Sequence, residues 1–457
     1  MKTRSEIFKA YDIRGIVDDS LTEQSVTAIG QAIGSEAVRR EQDTIVVGRD
    51  GRLSGPALSA ALSDGIRSAG CDVVDIGCVP TPVVYFATHH LGTGSGCAVT
   101  GSHNPPQYNG IKMMVAGETL SGDAIQSLRQ RIEDNNFSDG NGEFKTEDVV
   151  DAYVQRITSD VKLEKPLRIV IDCGNGVAGG IAPRLFNEIG CEVHELFCEV
   201  DGNFPNHHPD PSQPENLQDV IAKVKKVGAD VGLAFDGDGD RCGVVTPDGD
   251  IVWSDRVMSL FTQSILKQRP GAEFIYDVKC SQILPTTIRD AGGQATMWKT
   301  GHSLIKAKLK ETGAAMAGEM SGHFFFNERW YGFDDGLYAG ARLCELIAAD
   351  SRSSREIFAD IPNTVNTPEL RLEMKEGEHH ALIEKLVATA SFPDGELSTI
   401  DGVRVDFDNG FGLARASNTT PTIILRFEAD NQENLAKIQD RFRDLFEQTQ
   451  PGLELPF

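Results

Sequence analysis

Short runs rich in valine and isoleucine alternate with helix-length segments along most of this chain, and that alternation restricts the fold class. Residues 44–47, 72–76, 168–171, 231–235 and 274–278 read as strands; 21–40, 54–69, 177–189, 215–227, 334–349 and 431–448 read as helices. Such alternation gives mixed sheets covered by helices, an α/β fold. At 457 residues the chain exceeds a single domain of about 150 residues. Three sections follow one another. Each opens with a strand, crosses a helix and later presents a Gly-rich loop, near positions 100, 236 and 318. From 363 onward the order strand, helix, strand, Gly-rich loop, strand, helix suggests a smaller α+β domain. The polar stretch 134–147, Asp250 and Pro362-Asn363-Thr364 mark the boundaries. The expected domains are therefore 1–147, 148–250, 251–362 and 363–457.

Composition narrows the function. With 40% hydrophobic and 25% charged residues the chain is globular. A net charge of −24 argues against nucleic-acid or anionic-membrane partners. An anionic substrate would need its own local cluster of Lys and Arg. The amino terminus has no apolar stretch of signal-peptide length, and no run approaches the ~18 apolar residues of a membrane span, so a cytoplasmic protein is expected. The nine cysteines form no Cys-x-x-Cys pair, and several lie in strand-like runs, as buried reduced thiols do.

Four loops carry candidate chemistry. Thr100-Gly101-Ser102-His103-Asn104-Pro105-Pro106 follows the run 96–99 and displays a serine at the carboxyl edge of a sheet. The prolines end any helix or strand there. Alone, such a loop is either a surface turn or a site with a nucleophile or phosphate carrier. Asp236-Gly237-Asp238-Gly239-Asp240-Arg241 places three carboxylates at alternate positions, and its glycines let the loop curl them inward. Such oxygens suit a hard cation such as Mg²⁺. An EF-hand is excluded, since Arg241 stands where that loop needs glycine and Pro247 where it needs glutamate. Gly318-Glu319-Met320-Ser321-Gly322-His323, after the strand 314–317, can hydrogen-bond adjacent sugar hydroxyls. Arg415-Ala416-Ser417-Asn418-Thr419-Thr420-Pro421 suits a phosphate. Each of the last three also reads as a polar turn when taken alone. Lys112, Arg14, Tyr11 and the group Lys299-Thr300-Gly301-His302-Ser303 are ambiguous singly. Gly174-Asn175-Gly176-Val177-Ala178-Gly179 formally matches the dinucleotide fingerprint, with Glu195 or Glu199 as the acidic partner. A glycine-rich strand-to-helix turn is the competing reading.

Together, and in this order, the four loops resemble those of the α-D-phosphohexomutase family, within it the bacterial phosphomannomutase/phosphoglucomutase group. The resemblance covers essentially the whole chain. It implies four domains around a central cleft, three related mixed α/β domains plus a smaller α+β C-terminal domain. It also implies an isomerase that interconverts hexose 1-phosphate and hexose 6-phosphate through phospho-Ser102 and a 1,6-bisphosphosugar. One Mg²⁺ per chain would be held by Asp236, Asp238, Asp240 and the phosphoserine. Glucose or mannose 1,6-bisphosphate would serve as activator and intermediate. Ser102, Lys112, His302, Arg241 and Arg14 would be catalytic, Lys112 and His302 moving protons. Glu319 and Ser321 would bind the sugar 3- and 4-hydroxyls beside His323. Arg415, Ser417, Asn418 and Thr419 would grip the substrate phosphate. Tyr11, His103, Lys279 and Gly301 would complete the substrate site. Small-molecule hexose phosphates are the expected partners of a monomer. Thr100-Gly101 before Ser102, and Met320 in the sugar loop, favour mannose and glucose over a phosphoglucosamine mutase, whose loops typically read Ser-Ala-Ser-His-Asn and Gly-Glu-Gln-Ser-Gly. A non-catalytic sugar-phosphate binder and a nicotinamide dehydrogenase are the alternatives of other classes.

Overall fold

The computed structural model describes residues 3–375, 377–418 and 420–457. The polypeptide builds four sheets, and the first three share one strand order. In the first, Thr44–Arg49 pairs in parallel with Asp72–Cys78 on one side and Gly96–Val99 on the other; Gly96–Val99 then pairs antiparallel with Tyr108–Val115. Leu167–Asp172, Cys191–Leu196, Val231–Phe235 and Cys242–Val245 repeat this arrangement in the second. Glu273–Asp277, Gln294–Trp298, Met316–Gly318 and Phe324–Phe326 repeat it in the third. Helices make the parallel crossovers: Gly55–Ser68 and Thr81–His90, Ala182–Glu188 and Gln218–Val227, Ile283–Asp290 and His302–Thr312. Every residue of Val231–Phe235 is buried, which is why such strands read as unbroken apolar runs.

This topology decides where chemistry can sit. The antiparallel fourth strand turns straight back from the carboxyl end of the third. Ser102, the three aspartates and Glu319 all fall in that one return turn of successive units. Open α/β sheets present ligand sites at this edge.

Local departures from the sequence reading have clear causes. The expected helix 177–189 is broken into a 3-10 turn, Val177–Gly180, and a helix, Ala182–Glu188; Ile181 between them has φ −126°. The helix expected at 215–227 opens as a 3-10 turn at Pro214–Leu217, where proline suits a first turn. Thr81–His90 went unread because residues 81–88 are all buried, which leaves no amphipathic period. The strand expected at 314–317 spans Met316–Gly318.

The fourth sheet is antiparallel. Its order runs Val365–Asn366, Thr422–Ala429, Gly410–Ala416, Val403–Phe407, Glu396–Ser398, with Leu370–Glu373 also on Thr422–Ala429. Helices Glu378–Thr389 and Gln432–Thr449 cover it, burying Leu382, Leu386, Phe427 and Phe442. The first three units share one apolar core that includes Phe86, Tyr153, Phe186, Phe235, Phe324 and Trp330. The fourth joins them through a small apolar cluster, Val278 with Phe411 and Leu413, and through polar contacts. Arg404 Nη1 donates to Val278 O and Cys280 O, both at 2.6 Å, and Lys279 Nζ to Glu369 Oε1 at 2.7 Å. Among the described residues no helix is long and apolar enough to cross a membrane, and all nine cysteines are free.

Candidate active site

Ser102 sits at a left-handed corner, φ +49°, a conformation that costs a non-glycine residue about 1–2 kcal/mol. Its backbone is tied on both sides. Ser102 N donates to Thr100 Oγ1 at 2.7 Å, and Ser102 O accepts from Arg52 Nη2 at 2.8 Å. The hydroxyl donates to Asp236 Oδ2 at 3.0 Å and lies 3.2 Å from His103 Nδ1. The serine loop and the aspartate loop therefore meet at the hydroxyl. Burial, with Arg241, Arg14 and Lys112 nearby, holds His103 well below the usual imidazole pKa. Arg14 crosses the same loop, donating to Gly101 O at 3.3 Å, to Asn104 Oδ1, and to Asp12.

Asp236, Asp238 and Asp240 are fully buried, with ligand oxygens within 4.8 Å of one another. Burial and the facing Asp240 and Asp238 push Asp236 well above the ordinary carboxylate pKa. Asp238 and Asp240 go the other way despite burial, because Lys112 donates to both, at 2.8 Å for Asp238 Oδ2. Lys112 is in turn held as an ammonium well above its usual range, against the pull of burial. Oδ1 of Asp238 is buried without a hydrogen bond, and Oδ1 of Asp240 meets only His323 Nε2, at 3.2 Å. Three buried hard oxygen donors, one with an oxygen left unpartnered, fit a divalent cation. Thr81, which opens the Thr81–His90 helix of the first unit, donates to Asp238 Oδ2 at 2.5 Å. The aspartate loop is thus completed by residues of two units.

His323 links this loop to the third unit. Its Nε2 lies 3.2 Å from Asp240 Oδ1 and 3.3 Å from Arg241 Nε; its Nδ1 lies 2.9 Å from Glu319 Oε2 and 3.0 Å from Ser321 Oγ. Burial opposes charge on the ring, yet Asp240 and Glu319 raise its pKa to about 9. Glu319 Oε1 accepts from Gly301 N at 2.6 Å, which brings the turn before His302 against the sugar loop. His302 opens the His302–Thr312 helix, its Nδ1 3.6 Å from Asp334 Oδ2. Burial and the cations Lys306 and Lys112 hold it well below 6.5, in the neutral form a proton acceptor needs.

From the fourth unit, Arg415 donates through Nε to Asp401 Oδ2 at 2.9 Å, and Asp401 also accepts from Thr300 N at 3.0 Å. Ser417 Oγ accepts from Thr420 N at 3.3 Å. Asn418 Nδ2 donates to Tyr11 Oη, which donates to Thr300 O at 2.6 Å. The Tyr11 ring fills the space a Cβ on Gly301 would need, 2.5 Å away. Thr419 lies outside the described residues.

The structure brings the four loops together and revises how the cations are held. The sequence suggested a cluster of basic residues gathered for an anion. Instead each faces a carboxylate: Arg14 faces Asp12, Lys112 faces Asp238 and Asp240, Arg241 faces Asp210 at 3.6 Å, Lys279 faces Glu369, and Arg415 faces Asp401. Asp12, Asp210, Glu369 and Asp401, with Asp50, Arg52, Asp334 and Lys306, were missed by sequence reasoning. The one available signal was the charged turn Gly48-Arg49-Asp50-Gly51-Arg52 after a strand. The dinucleotide reading of 174–179 fails. A Cβ on Gly176 would lie 2.9 Å from Gly237 Cα and 3.0 Å from Asp236 O. Gly176 thus packs against the aspartate loop, while Gly174 meets Pro209 and His207 and Gly179 meets Cys198 O.

Three α/β units of one topology and a smaller antiparallel α+β unit, whose loops gather a serine, an acidic triad and an arginine suited to phosphate, define a phosphosugar-handling class. The chain matches the models for phosphoglucomutase/phosphomannomutase alpha/beta/alpha domain I over residues 5–139, domain II over 151–249, domain III over 253–365 and the C-terminal domain over 369–445; it belongs to that family. A phosphomannomutase/phosphoglucomutase of Pseudomonas aeruginosa is 53% identical over 453 residues, 99% of this chain and 98% of the relative. A phosphoglucomutase of Neisseria gonorrhoeae is 53% identical over 446 residues, 97% of each. A crystal structure of a phosphoglucomutase/phosphomannomutase family protein from Burkholderia thailandensis, 54% identical, superposes with a TM-score of 0.95 over 100% of both chains.

Proposed function

We propose that this chain is a phosphohexomutase acting on mannose and glucose phosphates, interconverting the 1- and 6-phosphates through phospho-Ser102 and a 1,6-bisphosphosugar. The observation that carries the reading is the Ser102 hydroxyl, fixed at a left-handed corner 3.0 Å from the buried acidic triad. A hydrolase would need its serine driven by an oriented histidine. His103 is adjacent, but among the described residues no carboxylate bonds its ring.

Phosphoryl transfer needs in-line positioning and charge neutralisation more than covalent help. One Mg²⁺ per chain, held by Asp236, Asp238, Asp240 and the phosphoserine, would withdraw charge from the phosphoryl oxygens. Arg241 and Arg14 face the group in transit. Lys112, kept as an ammonium, contributes charge more readily than a proton. Neutral His302 takes the hydroxyl proton as the sugar oxygen bonds to phosphorus and the Oγ–P bond breaks. Glu319, Ser321 and His323 hold the 3- and 4-hydroxyls, while Arg415, Ser417, Asn418 and Thr419 hold the resident phosphate. Tyr11, His103, Lys279 and Gly301 line the remainder. The bisphosphosugar turns over before the return transfer, so one phosphate site serves both orientations. All these groups come from one chain, as a working monomer requires.

Turnover on mannose 1-phosphate, glucose 1-phosphate and glucosamine 1-phosphate, primed with a trace of glucose 1,6-bisphosphate, tests the reading. Activity on the first two exceeds that on the third, and Ser102→Ala abolishes both. Full activity of Ser102→Ala would overturn it.

A further inference from the structure

We infer that Arg52 is a positioning residue for the phosphoryl-carrying serine, locking the Ser102 backbone while its hydroxyl gains and loses a dianion. This rests on the reading of Ser102 given above. Arg52 stands fifty positions before Ser102 and is 2% exposed. A guanidinium has five N–H donors, and here all five are used. Nε donates to Asp50 Oδ2 at 3.1 Å. Nη1 donates to Pro105 O at 2.7 Å and Tyr108 O at 2.9 Å. Nη2 donates to Ser102 O at 2.8 Å and Asn104 O at 2.6 Å. Four of the five acceptors are main-chain carbonyls of the serine loop and the residue that ends it. With no donor left to meet a phosphate, Arg52 is not a ligand.

Asp50 completes the clasp. Its Oδ1 accepts from Arg52 N at 3.0 Å; its Oδ2 accepts from Thr100 Oγ1 at 2.8 Å and Gly101 N at 3.1 Å. Thr100 Oγ1 accepts from Ser102 N. Both backbone polar groups of Ser102 therefore lead to the same Asp50–Arg52 pair. Phe204 from the second unit covers the guanidinium, 5.1 Å from its ring centroid. Gly101 is required by this arrangement, since a Cβ there would lie 2.3 Å from Arg52 Cζ.

A serine fixed at both N and O presents its hydroxyl in one direction. Transfer to a sugar hydroxyl, whose place is set by the grip on the rest of the sugar, needs that alignment, whereas a mobile water can take the in-line position opposite Oγ wherever the phosphoryl group points. In hydrolysis the Oγ–P bond breaks and the water oxygen bonds to phosphorus. One water proton ends on Ser102 Oγ and the other on inorganic phosphate. A loosened clasp therefore slows sugar transfer and leaves hydrolysis, so phosphate released per sugar transfer rises.

Two variants test this. Arg52→Lys keeps the charge but loses the planar fork, and Thr100→Val removes the hydroxyl between Ser102 N and Asp50. Each is phosphorylated with glucose 1,6-bisphosphate, the phosphoserine is followed by phosphorus NMR, and mutase turnover and phosphate release are measured. Arg52→Lys is expected to lose roughly 10²-fold in kcat and Thr100→Val about tenfold, with KM little changed and the release ratio raised in both. Wild-type kcat and release ratio in a folded Arg52→Lys overturn the inference. If that variant does not fold, the same result in Thr100→Val overturns it. A wild-type chain that takes up no phosphoserine refutes the reading of Ser102 itself, a result distinct from a phosphorylated wild type beside a fully active Arg52→Lys.

Discussion

The serine loop and the aspartate loop occupy the same place in two units of the same topology, yet they are held in opposite ways. The serine loop is braced from outside. The Asp50–Arg52 pair binds its carbonyls, and its one strained residue is Ser102 itself. The aspartate loop is braced through its own charge. Its carboxylates turn inward, Arg241 N returns to Asp236 Oδ1 at 3.2 Å, and Lys112 reaches in from the first unit. The difference follows from what each must accept. A loop that receives a phosphoryl dianion is held by hydrogen bonds to its main chain, which leave its hydroxyl to meet the aspartate loop. A loop of three carboxylates needs cations, and one of them comes from the neighbouring unit. The shared strand order sets where the loops are; their charge sets how they are fixed.

Breaking the serine loop at its functional atom gives the largest effect. Ser102→Ala removes the phosphoryl carrier, so turnover should fall by 10⁴-fold or more, on the order of losing a covalent nucleophile. The melting temperature should move only a few degrees, because the bonds that fix the loop run through Ser102 N and O. Kinetics and thermal melts together check this, and near-normal turnover would sink it.

The aspartate loop should respond in the reverse sense. Asp236 is the acid that burial and its like-charged neighbours push upward, and Lys112 does not bond it. Asp236→Asn keeps an oxygen for Arg241 N and removes one buried like charge. Mg²⁺ affinity should fall roughly 10–100-fold, while the melting temperature in chelator stays level or rises. Calorimetric Mg²⁺ titration and melts in EDTA decide it. A sharp fall in metal-free stability would mean that the triad is held by something other than charge.

A smaller effect sharpens the comparison in the third unit. Lys306 Nζ donates to Asp334 Oδ1 at 2.8 Å and, after burial, is the leading cause of the depressed His302 pKa; Lys112 and His323 act in the same direction and Asp240 against them. Removing a cation that lowers a pKa raises it. In Lys306→Met, Asp334 also loses its partner and faces His302. Activity that needs neutral His302 should then fail at higher pH than in the wild type. The acid limb of kcat should move upward, with the plateau above it largely kept. No shift, or a downward one, would remove His302 as the proton acceptor.

These contrasts also explain what could be read from the sequence. The strand at 231–235 and the loop after it are legible because an unbroken apolar run meets alternating Asp and Gly. Arg415 is legible because Ser417 and Asn418 follow it. Asp401, which holds Arg415 from fourteen positions earlier in the same unit, and Glu369, which holds Lys279, are single acids with no motif around them, and only the packing of the fourth unit against the third brings Glu369 to Lys279. Arg52 is a similar case, since a buried arginine that binds main-chain carbonyls leaves no pattern in the segment it supports. Gly176 left two readings open because a glycine that admits a neighbouring backbone looks, in sequence, like one that admits a phosphate.

The smallest effect belongs to the join between units. Tyr11, from the first unit, donates to Thr300 O in the third and accepts from Asn418 in the fourth, and its main-chain oxygen accepts from Ser303 Oγ at 3.3 Å. Tyr11→Phe keeps the ring against Gly301 and loses the hydroxyl bonds alone. Each such bond contributes about 1 kcal/mol net, so KM should rise a few-fold to tenfold. The kcat should hold, because Ser102, Lys112 and His302 are untouched. Gly301→Ala at the same contact should do more damage, since it drives a Cβ to 2.5 Å from the ring at a φ of +138°. If Tyr11→Phe matches the wild type while Gly301→Ala does not, the join is made by ring packing and the hydroxyl only fills its hydrogen-bonding capacity. If both raise KM, the hydroxyl couples the phosphate loop to the other units.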